Sequence, residues 1–386
     1  MNSNHFDVVV VGAGILGTFH AYHAAELGKK VLLIEKDPFP VQATVRNFGQ
    51  IVPSGMAGAW FNYGLYSSQL FKKIQSEYDI SIRQNGSVYI ASNADEQQLI
   101  HELKQQMDEK NYESTLITQS QCLQKWPALS SSYCREGLHF PQELSAEPNT
   151  LIYKLLFYIT RKFPSLRYYT QTAVVGCAVK NGKVNLTTNK NETFTCDDAI
   201  ICNGSEFEFL YPELFRASGI VVSKLHMLKT IPYPEAGLDG NILTGLTIRR
   251  YESFKECPSY SKIETPPELQ ELTKWGIHIL FKKAIDGSII LGDSHEYAPA
   301  GEIEKLGFEL NQHINDLMLK EAARIVNMGE LKIATSWAGY YSQHAEKDIV
   351  EIDLDKKIHI RTAIGGKGMT SSAGYSKKSI DKIFKN

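Results

Sequence analysis

The apolar run Asp7-Val-Val-Val-Val11 passes without a break into Gly12-Ala-Gly-Ile-Leu-Gly17. A run with no polar alternation predicts a strand buried on both faces, as in a parallel sheet covered by helices. Over residues 15–27 apolar side chains recur at helical spacing, and Gly28 supplies a C-cap. Residues 30–35 form a second apolar run that ends in the acid Glu35. The glycine pattern alone is weak, because glycines are common. Between a strand and a helix, with an acid about 20 residues further on, it reads as a dinucleotide-binding turn. Gly12 permits the tight turn, Gly14 lets the backbone approach a pyrophosphate, and Gly17 lets the helix pack on the strand. The free N–H groups of the helix start face the phosphates. Glu35 accepts hydrogen bonds from ribose hydroxyls and repels a 2′-phosphate, which disfavours NADP. The competing reading is a tight strand–helix turn with no ligand.

With 386 residues, 43% of them hydrophobic and 22% charged, the chain has the composition of a globular protein of two to three domains. Its 41 basic and 43 acidic side chains leave no electrostatic footprint for nucleic acid. Six cysteines are scattered with no CxxC pair, which argues against a zinc site or a disulfide framework and for a reducing compartment. No signal peptide precedes Asp7, and no apolar run approaches ~20 residues. A soluble, cytoplasmic protein is expected, with peripheral membrane contact left open. His20, His23 and Glu26 share a helix face, but that helix is committed to the dinucleotide turn, so no metal is expected.

Residues 38–60 read as an extended functional loop. Helices are predicted over 61–78, 95–111, 118–126 and 148–162. Strands are predicted over 86–91, 167–172, 173–180, 183–188 and 198–202, with Asn181-Gly182 as a hairpin turn. Past residue 220 the pattern changes. Strands over 221–230, 244–250, 276–283 and 288–292, with a turn at Asp286-Gly287, predict an antiparallel sheet. A long helix is expected over 303–327, then strands over 334–341, 349–353 and 358–361. The chain ends in a second glycine-rich turn, Ala363-Ile-Gly-Gly-Lys-Gly-Met-Thr370, and a helix. FAD and NAD share the first motif. A ligand domain stitched from both chain ends suits the longer FAD, with the second helix start facing the N1/O2 edge of a reduced flavin. The expected fold is α/β: an FAD-binding Rossmann-like domain (1–82, 142–218 and 332–386) and an α+β substrate domain on an antiparallel sheet (83–141 and 219–331).

In motif order the whole chain resembles the D-amino-acid oxidase, glycine oxidase and sarcosine oxidase superfamily of FAD-dependent amine oxidoreductases, whose cofactor domain is of the glutathione-reductase-2 type. Gly12–Gly17 and Glu35 match its ADP-binding element. Ala173-Val174-Val175 resembles its adenine-side strand, Ala199-Ile-Ile-Cys-Asn-Gly204 its second strand–glycine motif, and Gly365–Thr370 its flavin loop. The resemblance implies cofactor contacts from Gly12, Ala13, Gly14, Ile15, Leu16, Gly17, Glu35 and Lys36. It implies others from Thr44, Arg46, Asn47, Phe48, Gly49, Val174, Val175, Asn203, Gly204 and Gly339, and from Gly365, Gly366, Lys367, Gly368, Met369 and Thr370. Relatives with covalent flavin use a late Cys or a His in the loop after the acid. No Cys lies beyond Cys257 and that loop has no His, so non-covalent FAD is expected.

Val45-Arg-Asn-Phe-Gly49, Leu225-His-Met-Leu-Lys-Thr230, Gly245-Leu-Thr-Ile-Arg249 and Gly292-Asp-Ser-His-Glu-Tyr297 resemble a bacterial subgroup associated with aminoalkylphosphonate breakdown. That implies an N-methylated 2-aminoethylphosphonate or a close relative as substrate. The implied reaction is hydride transfer from the carbon beside a neutral amine to flavin N5, giving an imine that hydrolyses to an aldehyde or keto product. Oxygen or a membrane quinone would accept the electrons, and the oligomeric state stays open. The alternatives are oxidation of sarcosine, glycine or a D-amino acid, a non-catalytic flavin-binding redox protein, and an NAD-dependent dehydrogenase. Ser336-Trp-Ala-Gly-Tyr-Tyr-Ser342 contains no Arg, which puts a standard carboxylate clamp in doubt.

Three residues are singled out for catalysis: Lys367, to stabilise anionic reduced flavin unless it is a solvated loop lysine; His278, unless it is a hydrogen-bonded core residue; and Tyr251, as pocket wall. For substrate binding the candidates are Arg46, Arg249, His295 and Tyr341. Arg46 either binds an anionic group or braces the pyrophosphate. Of the neighbours Arg249 and Arg250, at most one faces the pocket.

Overall fold

The computed structural model describes residues 4–385. The first apolar run forms the strand His5–Val11, inserted in parallel between Val31–Ile34 and Thr193–Ile201. Its alternate residues serve two cores. Val8 and Val10 pack with Phe19 and Tyr22 of the following helix, while Val9 packs with Leu32, Leu186 and Phe215 on the opposite face. The sheet runs Val350–Leu354, Ile358–Thr362, Thr193–Ile201, His5–Val11, Val31–Ile34, Leu166–Tyr169. The hairpin Val174–Lys180 and Lys183–Thr188 joins it along Thr193–Ile201, turning at Asn181 and Gly182 as expected. The helix Ile15–Glu26 packs on the C-terminal helix Gly368–Phe384, which packs in turn on Gly58–Glu77.

The second sheet is mostly antiparallel. Ile220–Thr230 pairs with Glu296–Pro299, with Ile289–Gly292 and, along its whole length, with Ile333–His344. Beyond Ile289–Gly292 come Leu280–Lys283, Asn241–Leu243, Ser87–Ala91, Glu136–Phe140 and Thr115–Thr118. The helix Gln312–Ile325 packs on this sheet through Ile314, Met318 and Ala322.

Four expectations are corrected. Residues 244–250 are not a strand: Thr244 Oγ1 donates to the Ile279 carbonyl, the Gly245 N–H donates to Tyr133 Oη, and the chain turns into the helix Gly245–Ile248. These tertiary contacts override the β-propensity of Thr and Ile. The helix expected over 303–327 is broken at Gly307 (φ 58°), and resumes at Gln312 under an Asn311 cap. Only Leu280–Lys283 of residues 276–283 is strand. Ile333–His344, assigned above to the cofactor domain, belongs to the second sheet. Thr115–Thr118, Glu136–Phe140 and Glu296–Pro299 are strands for which the sequence reading had no counterpart.

Glu143 ties the two regions together. Its fully buried carboxyl accepts from the Ser54 N–H at 2.8 Å, from Tyr112 Oη at 3.1 Å and from Ser87 Oγ. Burial, opposed by these hydrogen bonds, pushes its pKa up to about 7. Folding therefore favours the protonated form. The resulting stabilisation is full below the unfolded glutamate value, 4.5, and is lost as pH rises through about 7. Urea unfolding at stepped pH should show wild-type stability falling across that window by an amount on the order of 3 kcal/mol. Glu143→Gln should flatten the fall.

Candidate functional site

A cleft of about 1000 Å³ opens between the carboxyl end of the first sheet and the face of the second. That is the top of the range of about 300–1000 Å³ usual for ligand sites. One half is built from the two glycine turns. Gly12 has φ 95°, and a β-carbon there would sit 2.3 Å from the Cys202 carbonyl oxygen. A β-carbon on Gly17 would sit 1.9 Å from the Gly12 oxygen. Gly14 is different: a β-carbon there would meet only Thr44 Oγ1, at 3.3 Å, and its face is open to the cleft. Thr44 Oγ1 accepts from the Ile15 N–H at 3.0 Å. Glu35 is buried at the end of Val31–Ile34 and accepts from the N–H groups of Ala13 and Asp37, at 3.0 and 3.1 Å. Burial raises its pKa and these two bonds oppose the rise. At the other chain end, Gly365–Lys367 leads into the helix Gly368–Phe384, and a β-carbon on Gly366 would find only Tyr341 Oη, at 4.0 Å. Asn203 Oδ1 is buried at the cleft without a hydrogen-bond partner. A long cleft with bare glycine backbone at two helix starts and a buried acid at one end fits FAD.

Most of the predicted cofactor residues line this cleft: Gly12, Gly14, Ile15, Leu16, Gly17, Glu35, Lys36, Thr44, Arg46, Asn47, Phe48, Val174, Asn203, Gly204, Gly339 and all six of Gly365–Thr370. Three do not. Ala13 is buried behind the turn. Gly49 packs under Ala146, whose oxygen would be 2.3 Å from a β-carbon. Val175 is 45% exposed, because successive strand residues point to opposite faces and Val174 is the one turned inward.

The other half of the cleft gathers Tyr251, His278, His295 and Tyr341 with Arg250, the neighbour of the chosen Arg249, and with two residues not singled out beforehand, Asp293 and Tyr297. His295 Nδ1 lies 3.0 Å from the Gly276 carbonyl, so it carries the proton. Nε2 then accepts from Tyr341 Oη at 3.0 Å. His278 stacks on His295 with ring centres 5.4 Å apart, and its Nε2 is 2.9 Å from Asp293 Oδ1. That contact is short but poorly aligned, and Asp293 Oδ1 remains a buried oxygen without a hydrogen-bond partner. Burial lowers the pKa of His278 and pushes that of His295 down to about 3, so both rings are neutral near pH 7. Burial also pushes the Tyr251 and Tyr341 hydroxyls well above the usual tyrosine range. His278, Asp293 and His295 bring ligand-type atoms within 4.8 Å of one another. Both His295 nitrogens already make hydrogen bonds, and we assign no metal.

Three role assignments change. Arg249 faces away from the cleft and pairs with Glu96 at 2.8 Å, donating also to the Glu264 carbonyl. Arg250 is the arginine that faces in. Arg46 lines the cleft, but its guanidinium braces the backbone, donating to the carbonyls of Val41 at 2.7 Å and Ala338 at 3.3 Å. Lys367 is no free cation: its Nζ is 2.8 Å from Glu252 and 3.4 Å from Asp348. Asp293 sits in Gly292-Asp-Ser-His-Glu-Tyr297, and the signal available was an acid two residues before the chosen His295.

Over residues 7–380 the chain matches the DAO family, FAD dependent oxidoreductase, and it belongs to that family. It is an FAD-dependent oxidoreductase. D-amino acid dehydrogenase 2 of Mesorhizobium japonicum is 34% identical over 80 residues, which is 19% of this chain and 19% of that relative. The matched segment thus spans about a fifth of that curated relative. Among solved structures, glycine oxidase from Geobacillus kaustophilus superposes with a TM-score of 0.79 at 14% identity, over 100% of this chain and 96% of that one. L-proline dehydrogenase from P. horikoshii gives 0.79 at 18% identity, over 98% and 93%. These two likenesses establish the fold.

The glycines separate packing from ligand access. Gly17→Ala should cost about 1–3 kcal/mol of stability, because backbone must move. Gly14→Ala, at φ −62°, should keep the melting temperature of the flavin-free protein yet purify with less flavin. Thermal unfolding and flavin absorbance per protein check both.

Proposed function

We propose that this enzyme oxidises the C–N bond of a small amine that carries a negatively charged group, an aminoalkylphosphonate or its N-methyl derivative. The observation that carries the reading is Arg250. Its guanidinium has five N–H donors and faces the cleft, with a hydrogen bond to Tyr297 Oη at 3.2 Å. Burial works against its charge, but the hydrogen bond to Tyr297 and the nearby Asp293 carboxylate offset that, and an arginine stays protonated at neutral pH. A planar, partly desolvated fork of this kind suits phosphoryl or carboxylate oxygens. No arginine stands in 336–342, so the anion is taken from a different element.

FAD, held non-covalently by the two glycine turns with Glu35 toward its ribose, supplies the two-electron acceptor when bound. The chain's own part is to bind and to desolvate. Arg250 fixes the anionic end. Leu225, Met227 and Leu280 line the cleft and exclude water. Tyr251 and Tyr341 stay protonated as walls and donors. With Lys367 paired to Glu252 and Asp348, charge near the flavin ring is stabilised by the backbone N–H groups of the Gly365–Gly368 segment rather than by a free ammonium. The imine product would hydrolyse in water to an aldehyde or keto compound. The same reading places the protein in the cytoplasm, with oxygen or a membrane quinone as electron acceptor.

The second reading is oxidation of sarcosine, glycine or a D-amino acid, favoured by the glycine oxidase and D-amino acid dehydrogenase named among the similar proteins. Anaerobic bleaching of the flavin by a panel of 2-aminoethylphosphonate, its N-methyl derivatives, sarcosine, glycine and D-alanine decides between them. Bleaching by the phosphonates alone is expected. Bleaching by the amino acids alone overturns the phosphonate reading, and bleaching by none returns the protein to a non-catalytic flavin role. Arg250→Met should raise the half-reducing concentration about tenfold or more, the loss of a charged hydrogen-bond donor. Arg249→Met should lower thermal stability and raise that concentration by less than Arg250→Met does, because it loosens the base of Arg250 and leaves its guanidinium in place.

A further inference from the structure

Asp293 carries a charge that anion binding does not use. It follows the strand Ile289–Gly292, is 8% exposed and lines the same half of the cleft as Arg250. His278 Nε2 and His295 Nδ1 approach its Oδ1 at 2.9 and 3.9 Å. Tyr251 and Tyr341 also act on it through space. Burial pushes its carboxyl pKa up, but the adjacent His278, His295 and Arg250 outweigh burial and hold it below the usual aspartate range, and Arg250 is the one of the three that is charged near pH 7. It is therefore an anion near pH 7 between two neutral imidazoles, and its buried Oδ1 makes no hydrogen bond. A desolvated carboxylate left in that state is costly, and a donor arriving in the cleft relieves the cost.

The other acids along the cleft are engaged or outside. Glu35 accepts from two backbone N–H groups, and Asp37 pairs with Lys36. Glu252 and Asp348 share Lys367. Glu206 accepts from the N–H groups of Glu208 and Phe209, and Glu346 is exposed.

We propose that Asp293 holds the substrate's amine: its carboxylate accepts an N–H hydrogen bond from the amine while Arg250 takes the anionic group. The site thereby selects small molecules that carry both groups. His278 is a positioning residue, fixed by Thr247 Oγ1 at 3.3 Å from Nδ1, and its ring walls the carboxylate with Nε2 2.9 Å from Oδ1. This rests on the reading of the cleft as an amine–anion site.

The test uses dithionite-reduced holoenzyme, which cannot oxidise its ligand, and anaerobic titration calorimetry. Two ligand pairs differ only in the amine: 2-aminoethylphosphonate against ethylphosphonate, and glycine against acetate. Wild-type protein should prefer the amine-bearing member of the pair it binds by about tenfold or more. Asp293→Asn should weaken that member about tenfold to hundredfold and leave its amine-free partner within about twofold. Asp293→Glu, which keeps the charge, should restore part of the preference. Equal loss on both members overturns the proposal, since a merely structural residue would weaken both. Equal wild-type affinity for both members overturns it without any variant. If wild-type protein binds neither pair, or Arg250→Met leaves both members unaffected, the amine–anion reading itself fails.

Discussion

At Gly12 a β-carbon would lie 2.3 Å from the Cys202 oxygen, and at Gly17 1.9 Å from the Gly12 oxygen. No side chain fits where three backbone segments meet this closely, and the rest of the cleft is set from that contact. It presses the helix Ile15–Glu26 onto the end of Thr193–Ile201. The same helix then holds the far end of the chain: His20 Nδ1 lies 3.0 Å from Ser376 Oγ, and His23 Nε2 lies 3.0 Å from the Ala373 carbonyl. A β-carbon on Gly374 would be 2.3 Å from the Tyr63 oxygen, so the C-terminal helix is also pressed against Gly58–Glu77. The Gly365–Lys367 turn has its place because that helix is held on two sides. The histidines that shared a helix face with Glu26 thus serve packing, and burial lowers the pKa of His20 to about 3.

The two halves of the cleft follow different physics. The cofactor half is backbone with little side-chain charge left unpaired: Lys36 meets Asp37, and Lys367 meets Glu252 and Asp348. Such a surface suits a ligand that brings its own phosphates to N–H groups. The substrate half places a half-buried guanidinium and a buried carboxylate among neutral rings. In a low-dielectric setting each raises the value of a complementary group on a ligand and penalises a ligand that lacks it. Binding selectivity then comes from charges the protein has already desolvated.

How much of this the sequence carried depended on how local the cause was. The βαβ start, the Asn181-Gly182 hairpin and the C-terminal glycine turn are set by residues adjacent in the chain, and they were legible. The strand expected over 244–250 failed because Tyr133 and Ile279, distant in sequence, claim its polar groups. Val175 was assigned to the cleft with Val174 although strand alternation permits only one of them to face in. Arg46 and Lys367 line the cleft, but no pattern in the chain reveals that Ala338 or Glu252 would occupy their charges. Asp293 was overlooked for the same reason: its meaning lies in the orphaned oxygen, a fact of three dimensions.

The adjacent arginines show how packing prepares chemistry. They leave the short helix Gly245–Ile248 on opposite sides. Arg249 pairs at 2.8 Å with Glu96, whose side chain is almost wholly buried, and its carbonyl accepts from Tyr260 Oη at 2.6 Å. Glu96 is itself fixed by the Ser92 N–H and Oγ. The backbone that presents Arg250 is therefore clamped from behind before any ligand arrives. A long side chain loses rotamer freedom when it binds, and anchoring its base removes part of that cost in advance. The ion pair that turned Arg249 away from the cleft is what makes its neighbour an effective group within it.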